Sequence, residues 1–313
     1  MEYRNLGKSG LKVSVLGLGA NNFGWWLDEQ RSTVVLNHAL DLGINYLDTA
    51  DWYDMGKSEA YIGRTLKGRR SEVIIATKYG QPMGEGPNDR GGSRWYIMRA
   101  VEASLKRLQT DYIDLYQMHW PDPTTPIEET LRTLDDIVKS GKVRYIGCSN
   151  FDGWQLSEAM WTSHANNLNS FITVQPRYNL FERQIERELV PCCKAHGVGI
   201  IPWGPLAGGF LTGKYKRDEK PKAPAEGEPE LKAYSELYHG VITDTNWDRL
   251  EKLQAFSKAR GHTVSELAIA WLLAHPWVPS VIAGATRTEQ LDMNLKGANW
   301  KLIAEDVAEI EKI

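Results

Sequence analysis

The sequence predicts an α/β protein folded as a (β/α)8 barrel, a single domain over residues 1–313 with a short N-terminal extension, extra loops and a C-terminal helix. Short β-branched runs alternate with longer segments of helical period, the pattern of parallel strands joined by crossover helices. Eight such runs are present, and sharing 313 residues among eight strand-helix units allows about 39 residues each, enough for such a barrel with insertions. An open doubly wound sheet is the second choice.

The strands are expected at 13–20, 44–50, 73–78, 112–119, 143–149, 171–175, 198–203 and 281–284, each largely apolar before a polar or glycine ending. Such runs suit strands buried on both faces. Helices are expected at 58–66 after the Gly56-Lys57 turn, at 94–108, at 127–140 closed by Gly141, and at 154–163. Further on, 184–196 ends at Gly197, 246–260 ends at Gly261, and 265–275 stops before Pro276. The Gly17-Leu18-Gly19 run lacks the third glycine and the following helix of a dinucleotide fingerprint. Segment 216–230, rich in Lys, Glu, Pro and Ala, reads as a mobile connector. Its place after the seventh strand also suits a lid.

Composition narrows the function. A net charge of −3 is far from the basic excess of a nucleic-acid binder. Apolar runs such as 13–20 and 198–203 are much shorter than the ~20 residues a membrane span needs. The first residues lack the order of a secretory signal, so a cytoplasmic location is expected. Cys148, Cys192 and Cys193 form neither an even disulfide framework nor a Cys-x-x-Cys pair, and free thiols without a metal are expected.

In a barrel, polar residues at the carboxyl ends of strands converge on one site. Asp48 lies near the end of the second strand, Tyr53 follows in its loop, Lys78 closes the third and His119 the fourth. Each alone has an ordinary structural explanation. Together, a Lys and an Asp at neighbouring strand ends carry a desolvation cost that a purely structural role does not easily offset. Tyrosine ionises near pH ~10, but a lysine cation beside it favours the phenolate and makes the hydroxyl a better proton donor. Asp48 would hold Lys78, and His119 would donate a hydrogen bond to a carbonyl oxygen. None of these groups supplies a hydride, so carbonyl reduction needs a nicotinamide cofactor.

Residues 43–50, Gly-Ile-Asn-Tyr-Leu-Asp-Thr-Ala, followed by Tyr53, Ser58-Glu59 and Ile62-Gly63, resemble the opening signature of aldo-keto reductases. Residues 104–108, 111–115, His119-Trp120 and 147–151 continue the likeness in the family's order. The resemblance spans nearly the whole chain. It implies a (β/α)8 barrel without a Rossmann domain, reversible NADPH-dependent carbonyl reduction, and an Asp-Tyr-Lys-His set on Asp48, Tyr53, Lys78 and His119.

The resemblance also implies a cofactor lying across the strand ends, NADP(H) in preference to NADH. It places Ala20, Asn21 and Asp48 beside it, and Ser149, Asn150 and Gln175 on the nicotinamide carboxamide. Trp203 stands where many members stack a tyrosine on the nicotinamide. The branch that includes potassium-channel beta subunits uses Trp there, so stacking should survive. Gly204, Pro205, Leu206, Ala207 and Gly208, with Gly209 and Lys214, resemble the pyrophosphate loop. Gly284, Thr286, Arg287, Gln290 and Asn294 resemble the adenosine-phosphate segment, where Arg287 at a helix start suits a 2′-phosphate.

Trp25, Trp26, Trp52 and Trp120 neighbour these positions among twelve tryptophans and suggest a pocket for an apolar or aromatic aldehyde. The partner expected is therefore a small carbonyl compound, and a homo-oligomer stays open. The rival reading is a cofactor-binding regulatory subunit of a membrane channel with little turnover. In that branch the resemblance has Asn where this chain has His119, which favours an enzyme.

Overall fold

The computed structural model describes residues 1–217 and 240–313. Apart from Lys216 and Arg217, the expected connector or lid at 216–230 lies outside these residues. Two short strands, β1 (Tyr3–Asn5) and β2 (Lys12–Ser14), pair antiparallel with Tyr3 opposite Ser14. Eight parallel strands follow: β3 (Leu16–Gly19), β4 (Tyr46–Asp48), β5 (Ile74–Tyr79), β6 (Ile113–Met118), β7 (Val143–Ser149), β8 (Thr173–Gln175), β9 (Gly199–Ile200) and β10 (Val281–Gly284). Strand β10 returns to pair with β3. At the remaining seam the Ile282 N–H donates to the Pro202 carbonyl at 3.2 Å, closing a (β/α)8 barrel.

Parallel pairing requires long crossovers, and the described helices α1 (Glu29–Asp41), α2 (Lys57–Thr65), α3 (Arg94–Leu108), α4 (Ile127–Lys139), α5 (Gly153–Ala165), α6 (Leu189–His196), α7 (Asp244–Ala259) and α8 (Val264–Leu273) occupy them. Helices α9 (Thr288–Asn299) and α10 (Ala304–Ile310) follow β10, the latter being the expected C-terminal helix. No helix among the described residues is long and apolar enough to cross a membrane.

Side chains alternate along each strand, and this separates two cores. Ile75, Tyr79, Tyr116, Met118, Ile146, Cys148 and Val174 belong to the layer shared with the helices. Tyr46, Ala76, Leu115 and Ile282 form the barrel interior with Leu6 and Val13. The N-terminal hairpin therefore seals the end of the barrel where the strands begin. Arg4 fastens it by donating to the carbonyls of Leu273 and Val278, both at 3.0 Å. By the same alternation Asp48, Lys78, Ser149 and Gln175 point into the opposite end of the interior.

Several boundaries differ from expectation for identifiable reasons. The run 13–20 divides at Val15: its first part pairs within the hairpin and its second enters the barrel. Both parts are buried, so hydrophobicity alone could not separate them. The run 198–203 keeps two strand residues, because Pro202 has no N–H to extend the ladder. The helix expected at 184–196 starts at Leu189 instead, which places Pro191 in the first turn where a missing N–H costs nothing. Helix α1 was not expected, whereas α9 begins just after Arg287, where a helix start was expected. Helix α1 carries an ordinary start signal, Asp28 accepting the Arg31 N–H at 2.8 Å.

Candidate active site

The carboxyl ends of β4, β5 and β6 bring four side chains together. Lys78 is fully buried, and its ammonium donates to Asp48 Oδ1 at 2.5 Å, to the Thr49 carbonyl at 2.9 Å and to the Tyr53 hydroxyl at 3.3 Å. Three donors and three acceptors satisfy the cation. Burial pulls the Lys78 ammonium below its usual range, with Asp48 opposing that pull, and burial raises the Asp48 carboxyl against the pull of Lys78. Gln175 and Gln117 also donate to Asp48 Oδ2, at 2.7 and 3.5 Å.

The backbone braces this arrangement. Asp51 N–H donates to the Lys78 carbonyl at 3.0 Å and His119 N–H to that of Tyr79 at 2.8 Å. The Tyr53 and His119 rings meet edge to face, with centroids 5.9 Å apart. Burial, and then the charge of Lys78, holds the His119 imidazole well below its ordinary value. It is neutral near pH 7. Its Nδ1 is buried with no hydrogen-bond partner, and the neutral ring keeps one N–H to donate.

The expected carboxamide residues are linked to one another. Ser149 Oγ donates to the Gln175 carbonyl at 2.7 Å, and Asn150 Nδ2 donates to the His119 carbonyl at 2.9 Å. Trp203 Nε1 donates to Asn150 Oδ1 at 3.0 Å. Asn150 thus ties the backbone of His119 to the indole expected to stack on the nicotinamide.

The remaining expected cofactor residues lie around the arc from β9 through β10 to β3. Ala20 N–H donates to the Asp48 carbonyl at 2.8 Å. Asn21 lies against Gly284, where a Cβ would sit 3.2 Å from its Oδ1. In the turn after β9, Gly204, Ala207, Gly208 and Gly209 all have positive φ, with Pro205 and Leu206 between them. Lys214 folds back so closely that a Cβ on Gly209 would lie 2.6 Å from its ammonium. Past β10, Gln290 Oε1 accepts from the Thr286 N–H at 2.7 Å. The Arg287 side chain is exposed and does not cap the first turn of α9. Asn294 is buried, and its Nδ2 has no partner. The helix start without a side-chain cap leaves backbone N–H groups that fit an anion such as an adenosine phosphate. Among the described residues no group of His, Cys, Asp and Glu could hold a metal ion.

Three of the four candidate tryptophans gather. The Trp25 ring lies 5.0 Å from Trp52, 5.8 Å from Tyr53 and 5.9 Å from Trp26. Trp120 is 46% exposed and makes no ring contact with them among the described residues.

Sequence reasoning missed Gln117, although a residue two before His119 on a strand must share its face. It also missed a buried acidic group behind Lys78. Glu59 is fully buried and accepts from Thr77 Oγ1 at 2.6 Å and Arg107 Nε at 2.7 Å. Asp51 accepts from the Tyr96 hydroxyl at 3.2 Å, while its Oδ1 is unpartnered. Burial, and then repulsion by Glu59, pushes the Asp51 carboxyl well above the usual carboxylate range. The folded chain therefore keeps this proton to higher pH than the unfolded chain, and stability is lost as pH rises above about 4 towards the folded value. Asp51→Asn is expected to abolish that loss, so its stability advantage in urea titrations grows from acid to neutral pH.

The pattern describing the Aldo/keto reductase family matches residues 15–313. The chain is 40% identical to a probable voltage-gated potassium channel subunit beta of Arabidopsis thaliana over 96% of this chain and 92% of that protein. It is 37% identical to aldo-keto reductase YhdN of Bacillus subtilis, over 100% of this chain and 93% of the other. Identity to the L-glyceraldehyde 3-phosphate reductase of Escherichia coli O157:H7 is 35%, over 100% of this chain and 92% of that enzyme. With the match running through every barrel strand, the chain belongs to the aldo/keto reductase family, oxidoreductases that act on carbonyl groups.

Proposed function

We propose that this protein reduces an aldehyde or ketone to the alcohol with NADPH, Tyr53 acting as the general acid. The observation that carries this reading is the Lys78 ammonium, held by Asp48 and directed at the Tyr53 hydroxyl. A fixed cation there stabilises the phenolate left when Tyr53 gives its proton to the carbonyl oxygen. Asp48 compensates the lysine charge within the dry interior. Neutral His119 offers its ring N–H as a second hydrogen bond to the same oxygen and does not compete as an acid.

NADPH, when bound, supplies the hydride. Ser149, Asn150, Gln175 and Trp203 would hold its nicotinamide end, residues 204–208 and Lys214 its pyrophosphate, and Gly284, Thr286, Arg287, Gln290 and Asn294 its adenosine phosphate, with Ala20 and Asn21 alongside. Arg287 offers paired donors to a 2′-phosphate. Arg287→Met is expected to weaken NADPH binding about ten- to a hundredfold while leaving NADH nearly unchanged, as read by quenching of tryptophan fluorescence.

Trp25, Trp26 and Trp52 beside Tyr53 favour an apolar or aromatic aldehyde over a sugar. NADPH consumption measured over aliphatic, aromatic and sugar aldehydes tests both the reaction and this preference. Equal rates on all three classes would remove the aromatic preference. The likeness to a channel beta subunit supports a second reading, cofactor binding with little turnover. The assembled proton donor favours the enzyme.

A further inference from the structure

The chain just after Tyr53 adopts a costly conformation. Asp54 (φ 46°, ψ 49°) and Met55 (φ 52°, ψ 40°) are both left-handed without being glycine, a state that packing must hold in place. Asp54 is half-buried, and its carboxylate pairs with Lys57 Nζ at 2.9 Å. It also presses on Gly24 in the loop after β3. A Cβ on Gly24, whose φ is +95°, would lie 2.6 Å from Asp54 Oδ2 and 2.7 Å from Asp54 Cβ. The residue after Gly24 is Trp25, whose ring lies against both Trp52 and Tyr53.

One loop therefore carries the proton donor, the other carries an aromatic wall, and they touch backbone to side chain at a point with no spare room. We propose that Gly24 and Asp54 form a latch that fixes the Tyr53 hydroxyl relative to Trp25, which makes Asp54 a positioning residue for proton transfer. This rests on the reading of Tyr53 as the general acid. The Asp54–Lys57 ion pair is a minor contributor, because Lys57 is 59% exposed and surface pairs are weak. The contact with Gly24 does the holding and keeps the costly left-handed backbone in place.

The latch has a signature that a merely structural residue lacks. Asp54→Gly relieves the backbone cost, so thermal stability is kept or raised, while freeing the Tyr53 loop slows chemistry. The single-turnover rate of NADPH oxidation with an aromatic aldehyde is expected to fall about ten- to a hundredfold, with NADPH affinity unchanged. Gly24→Ala forces the loops apart and is expected to lower the same rate and to displace the alkaline limb of its pH profile. Combined with Asp54→Gly, the added methyl no longer meets the Asp54 side chain, and only the backbone strain of Ala at φ +95° remains, so the double variant loses less than the product of the two single losses. Tyr53→Phe is the control.

Asp54→Gly at the wild-type rate, a joint loss of stability and rate in that variant, or independent effects in the double variant would each overturn the latch while leaving Tyr53 as the acid. If Gly24→Ala does not fold, the stability and rate of Asp54→Gly still decide. Full turnover by Tyr53→Phe would instead overturn the reading of Tyr53, and the latch with it.

Discussion

Tyr53→Phe is expected to slow single-turnover carbonyl reduction by about 10²- to 10⁴-fold, the usual contribution of a positioned general acid, while NADPH binds as before. The substitution removes one oxygen atom. It keeps the ring that meets His119 edge to face and lies against Trp25, so neither the fold nor the aromatic wall has reason to move. What is lost is the proton aimed at the carbonyl oxygen and the acceptor for one Lys78 hydrogen. Rapid mixing with excess enzyme separates this loss from any slow product release. A rate within a factor of about two of wild type would show that Tyr53 is no acid and would favour the binding-only reading.

Lys78→Met is expected to cost about 3–5 kcal/mol of stability, because it leaves a buried carboxylate without its counter-ion. Asp48 would retain the amide donors of Gln175 and Gln117, which cannot replace a positive charge. The deficit depends on pH. Without Lys78 the Asp48 carboxyl rises further, so the folded chain holds the proton that the unfolded chain has released. The deficit is therefore largest near neutral pH and shrinks towards the ordinary carboxylate range. Adding Asp48→Asn removes the unpaired charge and should restore most of the stability with no recovery of activity. Denaturant titrations of the wild type, the single and the double variant check this. Equal losses in the single and double variants would mean that lost packing of the lysine stem, not the stranded charge, sets the cost.

The groups at the strand ends were legible in the sequence for a simple reason. Asp48 and Lys78 sit at the ends of regular strands, where parity alone decides which face a side chain takes, while Ser149 and Gln175 were reached only through the family resemblance. Loops obey no such rule. Trp120, next to His119 in sequence, makes no ring contact with the other three candidate tryptophans and is 46% exposed, whereas Trp25, remote in sequence from Tyr53, lies against its ring. The pairing of Glu59 with Arg107 was hidden similarly: it joins α2 to α3, and no local pattern records which helix faces pack. The cover that Tyr96 gives Asp51 was equally hidden, because the two residues lie 45 positions apart on different elements. The left-handed turn at Asp54 and Met55 was the least legible, since neither residue announces a positive φ as glycine does.

The N-terminal hairpin has a consequence for how the molecule assembles. Its Arg4 anchors, the carbonyls of Leu273 and Val278, come 269 and 274 positions later in the chain. During synthesis the hairpin can form early and bond to Gly43 and Asn45, but its Arg4 anchor cannot engage until residues 273–278 have left the ribosome. Until then the nascent sheet is an open trough with exposed edges, the condition in which chaperone capture and mispairing compete with productive closure.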